Sequence, residues 1–177
     1  MKTLLKGALY LLLLLGIVFV AGGFLLPASS HVERSIVIER PPGEVHAMLN
    51  SFQRFNEWSP WYEMEPTAKY AYSGPQAGVG AAMSWQGDKV GSGSQRIVES
   101  TPPSRIVNAL DFGGTEATAR FDLQEEGAGT RVTWSLDSQH GYNLVSRWFG
   151  LAMDSMVGKD YEKGLLKLKQ TLEDAPH

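Results

Sequence analysis

Cysteine is absent from the 177 residues, which excludes disulfides, thiolate metal sites and cysteine nucleophiles. Histidine is scarce: His31, His46, His140 and His177 are scattered and form no ligand-spaced pair, so a zinc site has no support. No serine sits in a G-x-S-x-G elbow, which removes the hydrolase triad built on one. Gly158-Lys159 lacks the upstream glycine of a phosphate-binding loop, and the glycine-rich stretch lies among hairpins rather than before a helix. Nucleotide binding therefore has no motif, and no pattern in the chain calls for a cofactor. Basic runs are missing too. The net charge is −3, and all 19 acids follow residue 32 whereas Lys2 and Lys6 precede it, so the body of the chain is more acidic than the whole. That balance sets aside nucleic acid and anionic lipid surfaces as partners. There are no internal repeats and no low-complexity tracts.

What the chain does have is a long uncharged run, the 20 residues 7–26 (GALYLLLLLGIVFVAGGFLL). A helix needs roughly 20 apolar residues to cross a bilayer core. Lys2 and Lys6 favour leaving the N-terminus in the cytoplasm and the remainder outside it. Ala28-Ser29-Ser30 offers a small-x-small cleavage site, so a signal peptide is the rival reading, although an ordinary signal core has only about 7–15 residues. Both readings export the rest. An uncleaved run makes a single-pass membrane protein with an extracytoplasmic C-terminal domain, and a cleaved one makes a secreted or periplasmic protein. Gly22 and Gly23 beside Ala21 would admit a second helix closely, but the G-x-x-x-G spacing is missing. The expected division is an anchor or signal with its linker over 1–30, then one domain with one core over 31–177. The oligomeric state has no signature.

Residues 32–39 alternate well enough for a strand, and Pro41-Pro42 stops it, with Pro42 suited to the first turn of a helix. Val45, Met48 and Leu49 supply that helix's apolar stripe. Ser51 is a candidate cap for a second short helix carrying Phe52 and Phe55, which Pro60 ends near Trp58. Ten of the 19 glycines then fall between Gly74 and Gly129, separating strand-like runs over 69–73, 81–86, 92–100, 105–112, 116–124 and 131–137. Sequential strands with short connections predict an antiparallel meander, and glycines beside strands allow the bends of a curved sheet. Leu144, Trp148, Leu151, Ser155, Gly158, Tyr161, Leu165, Leu168 and Leu172 recur at spacings of three and four, predicting one long helix over 144–173 with small residues in mid-stripe. The fold class is α+β: a curved antiparallel sheet of about seven strands packed on a long C-terminal helix, preceded by a transmembrane helix.

This order of elements, with the residues that mark it, resembles the START-like superfamily and its helix-grip fold. Within it the chain is similar to the bacterial polyketide cyclase/dehydrase-type group, the SRPBCC proteins. The matching residues are Val32-Glu33-Arg34-Ser35-Ile36, the Pro-Pro-Gly-Glu-Val start of the first helix, Phe55-Asn56-Glu57-Trp58-Ser59-Pro60-Trp61 and Ser73-Gly74-Pro75. Gly78-Val79-Gly80-Ala81 through Trp85, Gly91-Ser92-Gly93 and Gly129-Thr130-Arg131-Val132 continue the match. The resemblance implies a hydrophobic cavity between sheet and C-terminal helix, used across the superfamily for lipids, sterols, polyketides or hormones. It brings no universal catalytic motif. The membrane anchor is an addition to the basic domain and does not suit a cytosolic biosynthetic cyclase.

The expected function is accordingly binding of an apolar small molecule or lipid by a membrane-anchored domain. Aromatic walls with a few polar groups are the usual make-up of such a pocket. Trp58 and Trp61 flank a proline-broken loop and are expected at the mouth, with Met83, Trp85, Trp134, Met153 and Tyr161 as walls. Met83 and Trp85 share one strand face, so both line the cavity or neither does. Arg96, if turned inward, would anchor an acidic head group. The alternatives are a cyclase, dehydrase or isomerase using His140 with Asp137 or Asp154 as acid and base, and an interaction module that docks through Trp58 and Trp61.

Overall fold

The computed structural model describes residues 2–175. Helix α1 (Lys2–Leu25) exposes apolar side chains from Leu9 to Leu25 and leads into β1 (Ser29–Ile38). Three short helices follow: α2 (Pro42–Leu49), α3 (Phe52–Trp58) and α4 (Pro60–Met64). Pro60 does end α3, as expected, but it also opens α4, where the Ser59 hydroxyl accepts from the Tyr62 amide. A proline at the first helical position costs nothing because its missing N–H has no partner there. Ser51 precedes α3 without capping it and instead donates to the Gln76 carbonyl.

Strands β2 (Lys69–Ser73), β3 (Ala82–Gln86), β4 (Ser92–Thr101), β5 (Arg105–Asp111), β6 (Glu116–Glu126) and β7 (Gly129–Gln139) form an antiparallel meander. β1 closes the sheet against β7, from Ser29 opposite Gln139 to Ile38 opposite Thr130. The order across the seven-stranded sheet is β1-β7-β6-β5-β4-β3-β2. Strict alternation sets the inner face: Ala117, Ala119, Phe121 and Leu123 on β6, and Val132, Trp134, Leu136 and Ser138 on β7. A register shift between Ile97 and Glu99 puts an extra residue into β4. Such a bulge bends its strand and helps curve the sheet.

The inner face holds α5 (Leu144–Glu173), begun by Asn143, whose side chain accepts from the Ser146 amide. At its other end the buried Arg40 donates to the carbonyls of Leu172, Glu173 and Ala175. A cation there satisfies carbonyls that the helix leaves unbonded and favours its negative end. Tyr161, Leu165, Leu168 and Leu172 join Val32, Ile38 and Val132 in the core, as the stripe predicts. The first half of α5 departs from it. Its sheet-facing residues are Gly150, Met153 and Val157, while Leu144 and Trp148 turn to α1.

Gly158 explains the small residue in mid-stripe. Arg34 lies on the inner face of β1, and its guanidinium crosses α5 where any side chain at 158 would overlap it. Its Nε donates to Glu162 at 2.7 Å, and its Nη1 and Nη2 to Asp154 at 2.8 and 3.2 Å. These carboxylates raise the Arg34 pKa further, and Arg34 in turn holds Asp154 below the usual carboxylate range.

Candidate functional site

Between sheet and α5 the fold leaves a cavity of about 430 Å³. Trp134 is the centre of its floor. The indole stacks on Tyr161 at 3.7 Å between ring centroids and on Phe121 at 5.0 Å, and it meets Trp58 and Trp61 edge-on at 5.4 and 5.8 Å. Offset-stacked and edge-to-face rings at these separations are the favoured aromatic geometries. Met83 and Trp85 from β3 form one side, where Trp85 meets Phe112 edge-on at 5.8 Å. Gly150, Met153 and Val157 of α5 form the opposite side. The most exposed large apolar lining residues are Val145, Phe149 and Phe112, which places the opening among them.

Among the described residues, no Asp, Glu, Lys or Arg lines this space. Its polar groups are neutral amides and hydroxyls, Gln95, Asn108, Thr115, Ser138 and Ser146, together with His140. Asn108 is only 4% exposed, and its Oδ1 has no hydrogen-bond partner among the described residues. The same is true of Trp134 Nε1 and of His140 Nδ1, while His140 Nε2 lies 3.0 Å from the Ser30 hydroxyl. Buried polar atoms ordinarily have partners. Three orphaned ones around a single apolar cavity can therefore serve a ligand with one or two neutral hydrogen-bonding groups. Burial pushes the Tyr161 phenol well above its usual range, with the Asp137 charge adding to it, so Tyr161 lines the cavity in its neutral form.

At the rim, Glu65 holds the β3–β4 turn. Its carboxylate accepts from the amides of Asp88, Lys89 and Val90 at 2.8 to 3.1 Å, and these bonds keep its pKa below the usual carboxylate range. Val90 belongs to the cavity wall, so Glu65 positions part of the site from behind.

Of the residues singled out from the sequence, Trp61, Met83, Trp85, Trp134, Met153 and Tyr161 come together around the cavity. Trp58, expected at the mouth, is 1% exposed and lies in the core behind Trp134. Arg96 is exposed in an adjoining polar groove of about 850 Å³, beside Asp111 and Glu116, and donates to the Gly80 carbonyl. The Asp–His pair does not form: Asp137 takes a 2.7 Å hydrogen bond from His31, and Asp154 is engaged by Arg34. Sequence reasoning missed Asn108 and Gln95. The signal for Asn108 was present, a polar residue at the middle of the Ile106, Asn108, Leu110 alternation on β5.

A family model described as polyketide cyclase/dehydrase and lipid transport matches residues 29–173. Among curated proteins nothing matches. Solved structures do. A protein from Chromobacterium violaceum shares 15% identity at a TM-score of 0.57, over 84% of this chain and 99% of its own. A protein from Mesorhizobium loti shares 16% at 0.59, over 83% and 99%. The Aha1 dimer from Colwellia psychrerythraea shares 17% at 0.57, over 81% and 96%. At these identities the likeness is one of fold, and it is to the helix-grip architecture described above. With the family model spanning everything from β1 to the end of α5, the chain belongs to the polyketide cyclase/dehydrase and lipid transport family.

Proposed function

We propose that this protein is a membrane-tethered binder of an uncharged apolar small molecule, most simply a neutral lipid, with its binding domain outside the cytoplasm. The observation that carries the reading is the cavity: about 430 Å³, walled by aromatic, methionine and aliphatic side chains, with no Asp, Glu, Lys or Arg among the described residues that line it. That size falls within the range of small-molecule pockets. A carboxylate or phosphate buried there would meet no Lys or Arg among the described residues, and an isolated buried charge is very costly. Trp61, Met83, Trp85, Trp134, Met153 and Tyr161 are the walls of the proposed site, and Asn108 and His140 its polar contacts. Arg96, one groove away, is not needed by such a ligand. The tether is α1, whose Leu4–Leu25 segment has the length and composition of a membrane span, and Lys2 and Lys6 favour its N-terminal end in the cytoplasm.

The test is native mass spectrometry of the full chain in detergent, followed by organic extraction, with uptake of a fluorescent fatty alcohol and the matching fatty acid measured alongside. A stoichiometric neutral lipid, and uptake of the alcohol in preference to the acid, is the expected result. Protein that is empty from several hosts and takes up neither probe overturns the reading.

A further inference from the structure

The first turns of α5, residues 144–153, are apolar apart from Ser146 and Arg147. Gly150 and Met153 face the cavity, and Leu144 and Trp148 face α1. The third face bears Val145, Phe149 and Met156, which are 65%, 58% and 53% exposed and recur at helical spacing. Within residues 144–153 Arg147 is the one charged residue, and its guanidinium is taken up by the carbonyls of Gly141, Gly23, Phe24 and Leu26. A cluster of exposed apolar side chains marks a contact surface, and Val145, Phe149 and Met156 are left exposed by the described residues.

Its height relative to α1 is set by contact. Trp148 Nε1 donates to the Phe19 carbonyl at 3.0 Å and its ring stacks on Phe19 at 5.9 Å. A Cβ on Gly22 would come within 2.7 Å of the Trp148 ring, so the glycine is what lets the two helices meet. The Leu4–Leu25 span has 22 residues, which at 1.5 Å per residue is about 33 Å, close to the hydrocarbon thickness of roughly 30 Å. Phe19 lies about 9 Å along the axis inside the Leu25 end. Trp148 is thereby drawn to the hydrocarbon boundary, and the first turns of α5 come with it.

We infer that the exposed face of the first half of α5, with the cavity opening beside it, is seated in the outer membrane–water interface, so that ligand passes between bilayer and cavity without crossing water. The occupant of this face is lipid rather than a second protein. The face lies beside α1, to which the neighbouring Trp148 and Arg147 are bonded. The exposed Tyr142, just before α5, is an amphipathic aromatic of the kind that favours the headgroup level. The inference rests on α1 crossing the membrane.

The absence of cysteine makes a clean experiment. Single-cysteine variants Val145→Cys, Phe149→Cys, Val18→Cys and Lys163→Cys of the full chain are nitroxide-labelled in phosphatidylcholine nanodiscs. Collision with oxygen and with a water-soluble nickel chelate is then read by electron paramagnetic resonance. Residue 18 reports on the membrane span and exposed residue 163 on the solvated end of α5. The expected result is an oxygen-to-nickel ratio at 145 and 149 several-fold above that at 163 and near that at 18. Labels at 145 and 149 as open to nickel as 163, with 18 still shielded, overturn the inference and leave the anchor standing. Shielding of 145 and 149 from both agents points to a protein partner and also overturns it. If 18 itself is open to nickel, the anchor falls and the seating of α5 with it.

Discussion

Ala119→Ile gives the existence of the cavity a sign. Ala119 faces inward on β6, opposite Asn108 on β5 and Leu136 on β7, and all three line the cavity. Isoleucine adds three carbons there, and its branched Cβ suits a strand. At about 0.8 kcal/mol per buried methylene the gain is about 2.4 kcal/mol, and ordering the side chain takes back about 0.5–1 kcal/mol. The net stabilisation is about 1.5 kcal/mol. Were the space already filled by protein, the same substitution would overpack the core and cost about 1–3 kcal/mol. For a chain of this size, roughly 2–4 °C per kcal/mol converts the gain to a rise of about 3–6 °C in Tm. The assay is a near-UV circular dichroism melt of the full chain in detergent, after extraction of co-purified molecules, with fatty-alcohol uptake measured on the same sample. A higher Tm with reduced uptake is expected. A fall in Tm with unchanged uptake would refute both the cavity and the role assigned to its walls.

Three further outcomes follow from local geometry. In Gly164→Ala the new methyl would stand 3.0 Å from the Trp134 ring and 3.2 Å from Pro60 Cδ. The helix gains about 1 kcal/mol against an overpacking cost of about 1–3 kcal/mol, so a net loss of about 1 kcal/mol is expected in the urea midpoint, and an unchanged midpoint would contradict the tight Trp134 contact. Burial holds His46 below the usual histidine range, beside the Ser100 hydroxyl at 3.4 Å. The unfolded chain then binds the extra proton first, so this contribution to stability is complete above pH 6.5 and falls as pH drops below it. Tm should be lower at pH 5.5 than at pH 7.5, and His46→Gln should narrow the difference; an equal difference in the variant would clear His46 of the effect. Glu65→Gln removes a carboxylate that takes three amide hydrogens, so exchange at the 88–90 amides should quicken while the Leu165 and Leu168 amides stay protected.

Much of the fold was legible because its signals are local. Glycine-marked turns and period-two alternation located β2 to β7 within a residue or two, and the spacing of apolar residues located α5 at Leu144–Glu173. The misreadings concern which side of an element faces what. Trp58 looked like a rim residue because Pro60 follows it, yet α4 resumes at once and turns Trp58 inward against Trp134. Arg34 shares a strand face with Val32, Ile36 and Ile38, where its charge is out of keeping with the apolar neighbours. It sits on the inner face because Gly158, Asp154 and Glu162, more than a hundred residues away, make a charged berth on α5. The two α1 glycines were legible as permitting close approach, but that the approaching helix would be α5 was not. Such pairings depend on what the folded chain brings opposite, and spacing along the sequence carries no record of that.

Under the proposed function, the division of α5 separates stability from binding. Its second half buries Leu165, Leu168 and Leu172 and has its end tied by Arg40, which is how an α+β core is ordinarily held. Its first half, from Val145 to Val157, lines the cavity with Gly150 and Met153 and has Val145 and Phe149 exposed at the opening. Truncating a half-exposed apolar residue costs little because most of its surface is in solvent already. Changes at 145 and 149 should therefore alter ligand exchange at nearly constant stability, and changes at 165 and 168 should do the reverse. A helix that served only as a core brace would not be built with its apolar side chains facing three ways at one end. The arrangement suits the proposed seating, in which that end meets the cavity, α1 and a lipid surface at once.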